Sequence, residues 1–319
     1  MLRITADIFS GRPDPVSDIT DENEVRALLR EVASNRSLFL GDAPTEGGLG
    51  VRGFWIEPLN DEFGRDFGAE TRLYLPVGAQ ARGGRAAEIG ERLVTLMERG
   101  DPVAVGEEAQ PLDASLREFL IPQLAIPARL TVTDRSAPGE ADTEAEQGAG
   151  QGAEQGPEEA TPAVACTIEL GAFNPGFWNN DSTVRLNNNC YNYASNWRTN
   201  TFAQPGRGCG NMYKAITCAE VTRASLCDGM HHRFDCFPDA EKPRYLVALV
   251  IAPGPGFVDF HWFRKQQEGF WGHKPGGTAA RNTDNSGNVI YNPETANRGP
   301  YTVFCGYFYG CNSQRQRIR

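Results

Sequence analysis

Residues 137–163 decide how this chain can fold. They hold Glu140, Asp142, Glu144, Glu146, Glu154, Glu158 and Glu159 among Ala, Gly, Gln and Pro, with no basic residue and almost no large apolar side chain. A segment of that composition cannot bury enough apolar surface to offset its ordering entropy, so it predicts a disordered acidic linker. Its length leaves two modules, residues 1–136 and 164–319, in keeping with the two domains expected of 319 residues.

Charge and cysteine content change at the same boundary. Residues 1–136 carry 15 Arg, no Lys and 23 acidic residues, a balance of −8, whereas residues 166–319 carry 16 basic and 11 acidic residues, a balance of +5. All eight cysteines fall between Cys166 and Cys311. The +5 is spread thinly and lacks the clustered Lys and Arg of a nucleic-acid surface, which argues against a nucleic-acid partner. No apolar run reaches the roughly 18 residues of a membrane span. Asp7 interrupts the apolar stretch that a signal peptide needs, so a cytoplasmic location is the default. The cysteine content suits an oxidising compartment better, which keeps export by a non-classical route open.

The first module reads as α+β. Leu2, Ile4, Ala6 and Ile8 alternate with polar residues at the period of a half-buried strand. Gly53–Ile56 and Thr71–Val77 predict further strands; helices are expected after Asp21, over Ala86–Arg99 and over Ala114–Leu124. The Phe9–Pro15 turn is either a recognition loop or plain turn chemistry, which its Gly and Pro content favours. The module contains no His and no Cys.

In the second module Cys166–Leu170 predicts a short first strand, and Cys190 follows Asn187-Asn188-Asn189 at the start of a helix-like stretch over 190–198. A thiol at a helix N-terminus meets unpaired N–H groups and the positive end of the helix dipole, which favour the thiolate. Asn189 is placed to cap those N–H groups, or to frame an oxyanion site with them. The helical period puts Cys190, Tyr193, Ala194 and Trp197 on one face. Arg244–Ala252 predicts a buried central strand, and Phe257–Arg264 a second with His261 on the face shared by Asp259 and Phe263. Gly269–Lys274 predicts a third strand, carrying His273, and Tyr301–Tyr309 a closing one.

This order, a helix-borne Cys190 followed by His261 and His273 on successive antiparallel strands, resembles the papain-like cell-wall cysteine peptidases and amidases of the NlpC type over residues 185–275. The resemblance implies a papain-like α+β domain at residues 164–319 that cleaves an amide or peptide bond through a thioester. It makes Cys190 the nucleophile, His261 the base and His273 the orienter, with Asp284 as the rival orienter; a turn is the simpler role for Asp284. It calls for a peptide-like or acyl substrate and no cofactor.

Cys209, Cys218, Cys227 and Cys236 recur at nine-residue intervals, with His231 and His232 between the last two. Disulfides or buried thiols are the ordinary reading; a zinc site of Cys218, Cys227, His231 and Cys236 lacks the short Cys-x2–4-Cys spacing. Two other functions remain open. One is a non-catalytic, disulfide-stabilised binding or interaction protein, and the other is a thiol acyltransferase of the same fold.

Overall fold

The computed structural model describes residues 1–44, 47–60, 72–81, 83–105, 108–125, 168–232 and 241–319. The acidic linker, Cys166 and Cys236 lie outside them.

The first module opens with β1 (Leu2–Asp7) and β2 (Val16–Ile19), joined by the Phe9–Pro15 turn. Helix α1 (Glu22–Ser34) begins where Asp21 accepts the N–H of Glu24, a side-chain cap on one of the orphan donors of the first turn. Strands β3 (Gly53–Pro58) and β4 (Leu73–Pro76), helix α2 (Gly84–Arg99) and the short β5 (Asp101–Pro102), β6 (Ala104–Val105) and β7 (Glu108–Ala109) follow. Helix α3 (Ala114–Leu124) is capped by Asp113. The sheet runs β4-β3-β1-β2-β5, antiparallel throughout, with Ile4 opposite both Ser17 and Ile56.

The second module contains α4 (Gly176–Asn179), α5 (Ser182–Asn187), α6 (Cys190–Ser195), α7 (Cys218–Cys227), β8 (His231–His232), β9 (Tyr245–Pro253), β10 (Val258–Lys265), β11 (Trp271–His273), β12 (Val303–Gly310) and α8 (Asn312–Arg317). Its sheet runs β11-β10-β9-β12-β8, again antiparallel. Alternation along β9 sorts the two faces: Val247, Leu249 and Ile251 pack with α6, while Ala248, Val250 and Ala252 pack toward the first module.

Three expectations need correction. Ile168–Leu170 form no strand, although Glu169 N–H donates to Arg244 O at 2.9 Å. Helix α6 stops at Ser195 because Asn196 turns left-handed at φ 53°, a conformation that Asn tolerates better than most residues, and Trp197 is thereby left 45% exposed. The second module is also not the papain-like domain expected. It is an open antiparallel sheet with helices, a generic α+β arrangement, and its helix-borne thiol and its strand-borne imidazole belong to different faces.

The two modules share one core. Leu2, Ile4, Ile8, Phe9, Phe54 and Leu120 belong to the same buried cluster as Val250, Phe257, Phe263, Trp271, Ile290 and Tyr301.

Candidate functional site

Asn189 positions α6. Its Oδ1 accepts the N–H groups of Tyr191 and Asn192 at 3.1 and 3.2 Å, and Asn192 Oδ1 accepts the N–H of Asn189 at 3.2 Å, a reciprocal capping box. The donors that would have framed an oxyanion are therefore bound to the cap. The Asn189 side-chain amide donates to Gly11 O and Ala203 O, both at 2.8 Å, which fixes the helix tip against the first module.

Cys190 is wholly buried in the cluster that contains Phe260 and Trp262, and its Sγ lies 3.9 Å from Phe260 O. Burial pushes the thiol well above its ordinary range, and the nearby Asp259 carboxylate pushes it further. Desolvation thus outweighs the help a helix N-terminus gives to a thiolate.

His261 faces the other way. Successive side chains of a strand point to opposite faces, so Phe260 and Trp262 project toward α6 while Asp259, His261 and Phe263 project toward the shared core. The His261 ring lies 4.8 Å from Phe263 and 5.7 Å from Tyr301, both members of that core. His261 and His273 do meet, with His261 Nε2 and His273 Nδ1 2.9 Å apart and His273 Nε2 2.9 Å from Thr283 O. His261 Nδ1 is buried without a hydrogen-bond partner. Burial first, then the competing His273 ring and the Arg281 and Arg52 charges, hold His261 well below its ordinary range, and burial with Arg281 holds His273 down to about 3. The pair is neutral and enclosed, and among the described residues no Cys–His catalytic dyad forms.

Asp284 is a turn residue: its carboxylate accepts the N–H groups of Ser286, Asn288 and Asn297 at 2.9, 3.0 and 3.0 Å. The expected zinc set also fails, because Cys209 pairs with Cys227 and Cys218 with Cys305, and Cys236 lies outside the described residues. Cys190 and Cys311 are free.

Two buried groups escaped the sequence reading. Asp259, fully enclosed on β10, accepts the N–H groups of Ser10 at 2.6 Å, Gly11 at 3.1 Å and Arg12 at 2.9 Å, and the Tyr301 hydroxyl at 2.5 Å. The Phe9–Pro15 turn is therefore an intramolecular ligand of the second module. A single carboxylate in the otherwise apolar run Phe257–Phe260 was the signal for it. Lys274, also enclosed, donates to Arg185 O at 2.5 Å, to Gly276 O at 2.7 Å and to Asn188 O, so its amine satisfies carbonyls around the end of α5, while burial holds it well below the ordinary lysine range. A cavity of about 210 Å³ between the modules is lined by Arg3, Asp7, Asp14, Trp55, Glu57 and Arg72, among others, and by none of Cys190, His261 and His273.

Over 135 residues the chain is 49% identical to insoluble matrix shell protein 1 of Ruditapes philippinarum, a match that covers 42% of this chain and 86% of that protein. The chain belongs to the insoluble matrix shell protein 1 family. No protein-family model matches the chain, and no solved structure matches it. Membership of the insoluble matrix shell protein 1 family, together with the separation of Cys190 from His261, overturns the resemblance to NlpC-type peptidases. The hydrolase assignment falls with it. What stands is a disulfide-bearing protein in which, among the described residues, no helix is long and apolar enough to cross a membrane.

Proposed function

We propose that this chain is a non-catalytic, disulfide-stabilised structural or binding component of an insoluble extracellular matrix. The observation that carries the reading is the 49% identity to a protein named for an insoluble shell matrix. Two further features support it. The disulfides Cys209–Cys227 and Cys218–Cys305 suit an oxidising compartment, and the buried Cys190 thiol is a core residue rather than a nucleophile. With the dyad gone, no acyl substrate is required. We extend the reading to place the protein outside the cell and away from nucleic acid.

Sedimentation of the oxidised full-length chain across a concentration series tests this directly. The expected result is partition into an insoluble fraction with both disulfides intact by non-reducing peptide mapping. A chain that stays soluble throughout contradicts the matrix role, and amide hydrolysis that disappears in Cys190→Ala contradicts the non-catalytic one.

A further inference from the structure

His231, Glu241 and Cys311 come from three separate segments, yet their ligating atoms all lie within 4.8 Å of one another. His231 sits on β8 opposite Tyr309 of β12, and Cys311 follows two residues later, immediately after that strand ends. Glu241 is held toward them by the N–H of Ser313, which donates to its Oε2 at 3.1 Å. The Ser313 hydroxyl donates to Gly229 O at 3.1 Å, tying α8 to the residues just before β8. Ladder pairing and side-chain hydrogen bonds thus hold all three segments together without any ion.

We propose that His231, Glu241 and Cys311 form a binding site for a divalent transition-metal ion of the zinc class. A thiolate, an imidazole and a carboxylate are the three side-chain ligand types that Zn2+ takes, at about 2.0–2.3 Å, which sets tetrahedral ligand separations of roughly 3.3–3.8 Å. With all three ligating atoms within 4.8 Å of one another, the site needs a contraction of about 1.5 Å at most to reach that geometry. Sulfur excludes Ca2+ and Mg2+, which take oxygen donors. On binding, the Cys311 proton leaves to solvent, and the thiolate and carboxylate charges match the two charges of the ion. Cys311 gives up only a long contact to Tyr309 O, 3.6 Å from its sulfur. It is fully buried whereas His231 and Glu241 are half-buried, so the ion enters past the imidazole and carboxylate and is anchored on sulfur. This site is distinct from the Cys218, Cys227, His231 and Cys236 set expected from spacing and keeps only His231.

Cobalt(II) titration of the purified, metal-free full-length chain is the test, because thiolate ligation of Co2+ gives a near-ultraviolet charge-transfer band. One equivalent is expected to produce the band, and Zn2+ to abolish it by displacement. Cys311→Ser is expected to remove the band and Cys190→Ser to keep it. The near-isosteric Glu241→Gln is expected to weaken Co2+ by roughly 100-fold while leaving the circular dichroism unchanged, since losing even an outer-shell partner costs 10–100-fold. No band in a wild-type chain with Cys311 verified as reduced overturns the site, as does a band that persists in Cys311→Ser.

Discussion

Asp14 and the two core histidines set opposing demands on pH. Asp14 accepts the N–H groups of Ile8 and Phe9 at 2.9 and 2.7 Å, and burial together with the Asp7 charge pushes it up to about 8. Its folded form therefore binds a proton that the unfolded chain releases above the ordinary carboxylate range, so its contribution to stability is lost as pH rises toward 8. His261 and His273 act in the reverse sense. Held neutral when folded, they let the unfolded chain take up extra protons below about 6.5, and stability falls as pH drops below that value. Urea denaturation from pH 4 to pH 9 should therefore show greatest stability near about pH 6.5, and Asp14→Asn should flatten the alkaline limb. An unchanged alkaline limb in Asp14→Asn would show that the loss has another source. At Cys190 the relevant physics is packing: Cys190→Ala should cost about 1–2 kcal/mol by loss of buried volume, measured by the same method.

Elements were legible where periodicity carried the signal. Strands β1, β9 and β10 follow from alternating or continuous apolar runs, and the Asp21 cap follows from Asp at the start of an apolar-periodic stretch, whereas the Asp113 cap of α3 is seen only in the structure. The sequence order of Cys190, His261 and His273 said nothing about which sheet face α6 would cover. The parity of β10 was readable, with His261 beside Asp259 and Phe263, but the choice of face was made by Phe260 and Trp262 packing on Tyr191 and Ala194. The Phe9–Pro15 turn was legible as a turn and not as a plug, because its binding carboxylate lies 249 positions from Ser10. Gly11 is needed there for space: a Cβ would come within 2.5 Å of Phe260 O and 2.4 Å of its ring. Gly11→Ala should cost about 1–3 kcal/mol by overpacking. Asp259→Ala, which strands several buried donors, should cost about 3 kcal/mol or more, and both costs are readable by denaturant unfolding. The Cys218–Cys305 bridge joins residues 87 apart, so Cys305→Ser should cost roughly 4–5 kcal/mol in the chain-entropy model, against about 3 kcal/mol for breaking Cys209–Cys227 across 18.

At the scale of the molecule, the composition break at residues 137–163 pointed to two modules, and the described residues pack them on one core. Asn285 adds a clasp between them, accepting the N–H of Leu49 at 2.6 Å and donating to its carbonyl at 2.8 Å. Such a shared core predicts one cooperative unfolding transition, with fluorescence and far-ultraviolet circular dichroism coincident, where separate modules would give two. The central claim is that Cys190 is a structural core thiol, not a nucleophile, in this member of the insoluble matrix shell protein 1 family. Iodoacetamide labelling of the native full-length chain at pH 7.5, read by peptide mass against a sample unfolded in urea, tests it most directly. The account predicts that Cys190 is unmodified while the fold persists and fully modified once it is lost; rapid, selective modification of native Cys190 at low reagent excess would contradict it.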